Sequence, residues 1–143
     1  MKRRWILAVL TVLACGGAGA STGSTPYVEA SLEITYQHPD VETYSYSVTC
    51  GDGRASIRGI DLDAEAACDN LSELGARSRL VEGPPDQACP DLYGGADVVT
   101  VKGTLAGEQV EAMIDRMDGC GISDWDNLLG NLLPPPRGEA SSA

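Results

Sequence analysis

The stretch Tyr27-Val28-Glu29-Ala30-Ser31-Leu32-Glu33-Ile34-Thr35-Tyr36 carries an apolar side chain at every second position: Val28, Ala30, Leu32, Ile34 and Tyr36. A period of two is the signature of a strand with one buried face. The chain then meets a turn signal, His38-Pro39-Asp40. Beyond it Tyr44, Tyr46, Val48 and Cys50 alternate in the same way, so the two runs read as a hairpin. Gly51-Asp52-Gly53 breaks the second strand.

Further along, the period changes. Asp61 or Asp63 can cap a helix on which Ala64, Ala67, Cys68, Leu71 and Leu74 share one face, with Gly75 as its stop. Gly83 to Gln87, with Pro84-Pro85, is a loop. Val98 to Val101 is a short β-branched strand, and Lys102-Gly103 is expected to turn the chain. Glu108 to Met117 is ambiguous: Val110, Met113, Ile114 and Met117 fit a helix, whereas Val110, Ala112 and Ile114 fit a strand, and periodicity slightly favours the helix. Ser123-Asp124-Trp125-Asp126 reads as a capped start, followed by the stripe Trp125, Leu128, Leu129 and Leu132.

The chain has 143 residues, with 10 basic against 21 acidic side chains. Setting aside Lys2, Arg3 and Arg4 leaves seven bases against the same acids, a net charge of −14. Such a charge excludes a nucleic-acid binder and adsorption to an anionic membrane, both of which need a basic surface. Hydrophobic residues make up 43 % of the chain but Phe is absent, so the core is aliphatic and thin. Small domains of this kind usually carry staples.

Domain organisation begins with an export signal. Lys2, Arg3 and Arg4 precede the apolar run Trp5 to Ala14, which is too short to span a membrane. Residues 1–20 read as a signal peptide with two exits. Ala18-Gly19-Ala20 offers cleavage before Ser21, and Val12-Leu13-Ala14-Cys15 resembles a lipobox that makes Cys15 the lipidated first residue. The lipobox is the favoured exit, because the apolar run stops at Cys15 and a Gly/Ala/Ser/Thr tether follows. Residues 21–30 read as a flexible linker, 31–133 as the domain and 134–143, opening with Pro134-Pro135-Pro136, as a disordered tail. An extracellular location follows, either secreted or anchored to the outer face of the cell membrane, with membrane contact only through the lipid.

Beyond Cys15 the cysteines are Cys50, Cys68, Cys89 and Cys120. An even set in a small exported domain reads as two disulfides, with three pairings open. No C-x-x-C occurs and His38 is the only histidine, so no metal or other cofactor is expected. Asp61-Leu62-Asp63-Ala64-Glu65 begins like a calcium loop, but Ala66 stands where the sixth-place glycine belongs, and helix capping explains the acids better. His38 lies beside Pro39 in a turn and no G-x-S-x-G is present, so the chain is not expected to be an enzyme.

Several motifs fall in one order: Ser47-Val48-Thr49-Cys50, Ala67-Cys68-Asp69-Asn70-Leu71, Cys89-Pro90-Asp91-Leu92-Tyr93, the run Val98 to Gly107, and Cys120. From about Leu32 to Cys120 the chain resembles the Streptomyces subtilisin inhibitor family of serine protease inhibitors. The resemblance implies an α+β fold, an antiparallel sheet of about five strands with two short helices. It implies disulfides Cys50–Cys68 and Cys89–Cys120, and it makes Glu108 to Met117 a strand. It places the inhibitory bond at Asp91–Leu92, in a loop supported by Cys89, Pro90 and Tyr93. The implied partners are serine proteases, subtilisin-like or acid-specific, and a second copy in a two-fold dimer packed through the sheet.

A protease binds substrate as an extended strand, and an inhibitor presents that strand already ordered. Two departures from the family bear on this. Asp91 would enter the protease's primary pocket, where the family usually offers an apolar or basic residue. Gly94-Gly95 replaces a common Asp-Pro and is expected to loosen the loop. A cell-surface binding module that keeps the fold without inhibition is the alternative.

Overall fold

The computed structural model describes residues 26–137. The expected signal peptide, with Cys15, and the first half of the expected linker, 21–25, lie outside that range. Five antiparallel strands form one sheet: β1 (Ala30–His38), β2 (Val41–Gly51), β3 (Arg54–Arg58), β4 (Val98–Leu105) and β5 (Glu108–Asp115), in the order β3-β2-β1-β4-β5. Three short helices, α1 (Ala64–Ser72), α2 (Leu74–Val81) and α3 (Gly119–Ser123), and a single π-type turn, Asp124–Leu128, complete an α+β fold.

The alternation read from the sequence sets which face is covered. Leu32, Ile34 and Tyr36 of β1, Tyr46, Val48 and Cys50 of β2, Val99 and Val101 of β4, and Val110, Ala112 and Ile114 of β5 are buried. Ala67, Leu71, Ala76, Leu80, Trp125, Leu129 and Leu132 close over them. The indole of Trp125 donates to Pro134 O at 2.9 Å, and the phenol of Tyr46 donates to Leu132 O at 2.9 Å. Burial raises the pKa of the Tyr36 and Tyr46 phenols well above the usual tyrosine value, and the Asp97 carboxylate beside Tyr36 adds to that rise.

Both disulfides are present. Cys50–Cys68 ties β2 to α1 inside the core, and Cys89–Cys120 ties an exposed loop to α3. Crosslinks of this kind persist in oxidising compartments. No helix among the described residues is long and apolar enough to cross a membrane.

Glu108–Asp115 is a strand, as the motif resemblance implies, with Met113 on its open face. Several local expectations change. Lys102-Gly103 does not turn the chain; both lie in β4, and Gly103 pairs with Leu32 and Val110. A Cβ on Gly103 would lie 2.0 Å from Ser31 O, so glycine serves close strand packing there. The turn comes at Ala106-Gly107, both at positive φ, the geometry that matches the twist of a hairpin. The strand β3 arises in a stretch with no assigned element.

The helix expected to end at Gly75 breaks at Glu73 and restarts as α2, which includes Gly75. That break swings Leu74 outward, to 75 % exposure. Asp63 is the α1 cap and accepts from Glu65 N and Ala66 N at 3.0 and 3.1 Å. The last helical turns are capped by Asp118 rather than Ser123. Asp124 instead pairs with the buried Arg79, 2.5 Å away, which also donates to Met113 O. At the ends of the domain, Ala30 belongs to β1 rather than the linker. Pro134 is buried and Arg137 N donates to Asp97 Oδ1 at 2.9 Å, so 134–137 pack on the domain rather than forming a disordered tail.

Candidate functional site

Between α2 and β4 the chain runs for 16 residues without regular structure, and nearly all of Pro84 to Tyr93 is exposed. Polar Asp, Gln and Gly residues and three prolines deny this segment both a helix and a ladder. Order must come from elsewhere, and it comes from one short segment, Arg116 to Cys120.

At the first end, Cys89 is bonded to Cys120, with Cα atoms 5.3 Å apart. The Pro90 carbonyl accepts from Gly119 N at 2.9 Å, so the loop lies directly on the start of α3. A Cβ on Gly119 would come within 2.9 Å of the Pro90 ring, which is why a glycine stands there. The same carbonyl also accepts from Leu92 N at 2.9 Å, closing a three-residue turn centred on Asp91. The backbone is therefore turned at Asp91 rather than extended through it. This puts the Asp91–Leu92 bond at the tip of the loop. Among the described residues, no main-chain hydrogen bond uses the Asp91 N–H or C=O.

At the other end, Gly94 is gripped by a single residue. Its N–H donates to Arg116 O at 2.8 Å, and its C=O accepts from Arg116 Nε at 3.2 Å. The Arg116 side chain is buried, and its Nη1 completes an ion pair with Asp126. A Cβ on Gly94 would collide with Ile122 at 2.6 Å, and Gly95 holds φ +133°. These glycines make the loop end tight rather than loose, because they let the backbone approach the scaffold closely. Tyr93 gives no support: it is 71 % exposed, and Leu92 beside it is 57 % exposed.

Arg116 and Gly119 carry no role in the sequence reading, and Asp126 figures there only in a capped helix start. The only local hint was a base set between Asp115 and Asp118 in a chain poor in bases. Among the described residues, one cluster of metal-ligating types brings Asp118 to Cys89 and Cys120. Both sulfurs there are committed to the disulfide, and Asp118 Oδ1 accepts from Gly121 N at 2.8 Å, so no open ligand set remains.

No family model matches this chain, and no curated protein matches it. What the site can do follows from its geometry: it presents one peptide bond, with its C=O unpaired and its N–H turned back onto Pro90 O, on a loop whose two ends are fixed.

Proposed function

We propose that the protein is an exported inhibitor of serine endopeptidases, offering the loop around Asp91-Leu92 to the protease cleft as a substrate-like segment. One observation carries this reading: both ends of the exposed loop are fixed to Arg116–Cys120, by a disulfide at Cys89 and by hydrogen bonds at Pro90 and Gly94. A loop ordered before it meets a partner loses little conformational entropy on docking. The unpaired N–H and C=O of Asp91 at its tip are groups of the kind a protease cleft engages, and the turn at Asp91 opens for the segment to dock as a strand.

The motif resemblance supplies the protease class, subtilisin-like or acid-specific. In this reading the protein is not an enzyme, and it uses no cofactor or metal. It acts outside the cytosol, either anchored through Cys15 or released with Ser21 first. A two-fold dimer would use the open face of the sheet.

Asp91 sets the specificity. A carboxylate entering an apolar pocket must be desolvated or take up a proton. Inhibition of a subtilisin-like protease by the wild type should therefore be weak. Asp91→Met should tighten it about tenfold or more, while a protease that accepts acidic side chains should prefer the wild type. Inhibition constants for both proteins against both protease types test this. If both proteins are folded and neither inhibits at micromolar concentration, the reading is wrong, and the loop belongs to a cell-surface binding module instead.

A further inference from the structure

We propose that Arg116 is the positioning residue that retains the Leu92 side of the loop after the Asp91–Leu92 bond is cut, and so makes inhibition last; this rests on the inhibitor reading above. Cleavage adds one water across the bond, giving an Asp91 carboxyl and a Leu92 amine. Religation returns that water and needs both ends in place. The Asp91 end stays because Cys89 is crosslinked to Cys120 and Pro90 O is bonded to Gly119 N.

No crosslink holds the Leu92 end. Tyr93 is exposed, so the first fixed point beyond the cut is Gly94, two residues on. Both main-chain hydrogen bonds of that point go to Arg116, to its main-chain O and from its Nε. The guanidinium can do this because Asp126 takes its Nη1 and the residue is only 1 % exposed. Buried and paired, it has one geometry, and the fork-shaped group serves a carbonyl and a carboxylate at once. With Gly94 held, the new amine starts beside the Pro90 carbonyl that it bonds in the intact loop. High effective concentration then favours religation over release. Without the clamp, the amine end moves away, religation is lost and the cut chain is released.

The test uses the full chain as wild type, Arg116→Lys, Arg116→Met and Asp126→Asn, each checked for folding by its melting curve. Two readouts are taken with subtilisin and with an endopeptidase specific for acidic residues. The first is the initial inhibition constant. The second is the time over which inhibition decays, with cut and intact chains counted by mass spectrometry. Arg116→Met should shorten inhibition about ten- to a hundredfold, the worth of a hydrogen bond to a charged group. Its initial constant should move far less, because the uncut loop is continuous. Arg116→Lys should fall between, since one ammonium cannot serve both acceptors.

A folded Arg116→Met protein whose inhibition lasts as long as the wild type's overturns the proposal. If Arg116→Met does not fold, Asp126→Asn decides, because it loosens the guanidinium without emptying its site; an unchanged lifetime there overturns the proposal too. Failure of the inhibitor reading looks different: the wild type itself then inhibits neither protease.

Discussion

The two disulfides sit in opposite surroundings. Cys50 and Cys68 are buried between β2 and α1, among Val48, Ala67 and Leu71. Cys89 and Cys120 lie at the surface, where Cys89 is exposed and its neighbours Ala88 and Pro90 are exposed too. Yet their loops close over 18 and 31 residues, which on the chain-entropy model is worth about 3 and about 4 kcal/mol respectively. The surface bridge thus restrains the unfolded chain as well as the buried one does, while adding no apolar packing. The covered side of the sheet holds itself together by burial, and its disulfide reinforces what packing already fixes. The loop end has no packing of its own and depends on its crosslink and a few hydrogen bonds.

Breaking the bridges one at a time should separate these two roles, and it carries the largest expected effect. Mild reductant should open Cys89–Cys120 first, because its sulfurs are the more accessible. The partly reduced protein should stay folded and lose inhibition. Replacing Cys50 and Cys68 together with alanine should cost about 3 kcal/mol from chain entropy, and more from the lost packing. Alkylation with mass mapping gives the order of opening, and urea midpoints give the stabilities. Opening of Cys50–Cys68 first would overturn the contrast between the two ends.

Alkaline pH tests the covered side alone. The Tyr36 and Tyr46 phenols are packed there and resist ionisation through burial. Their raised values favour the folded state fully below the unfolded tyrosine value, about 10, and that advantage is lost as the pH rises above it. Each phenol should then remove up to about 1.4 kcal/mol of stability per pH unit. Urea midpoints measured across this range should fall steeply for the wild type and less steeply for Tyr46→Phe. A Tyr46→Phe slope equal to the wild type's would mean that this phenol is free to ionise in the folded state.

The same contrast explains what was legible in the sequence. The alternation through Tyr36 and through Cys50 could be read because burial of one face writes a period of two. The strand β3 could not, since Arg54-Ala55-Ser56-Ile57-Arg58 is half polar and only partly buried, at the sheet's edge. Gly75 and Gly103 misled because glycine marks both chain reversal and close packing, and only the neighbours decide which. For the loop, the motif at Cys89 to Tyr93 located the exposed tip, and the residues that hold it escaped. Arg116 and Gly94 are 22 positions apart, and their contact is a consequence of the fold rather than of any local pattern.

The smallest expected effect on stability lies at the tip itself. Leu92 and Tyr93 are large apolar side chains left mostly in water, and they pack on nothing in the core. Truncating either to alanine removes little buried surface and none of the core, so the melting midpoint should correspond to a change within about 0.5 kcal/mol. The same truncation at Leu71, buried under the sheet, should cost about 2–5 kcal/mol. An apolar side chain that contributes nothing to the fold is available to a partner, and a contact near the centre of an interface typically loses more than about 1 kcal/mol on truncation. Leu92→Ala and Tyr93→Ala should therefore weaken protease inhibition about tenfold or more while leaving melting unchanged. If either variant instead melts like Leu71→Ala, the tip belongs to the folded core, and the division between the two ends of the molecule fails.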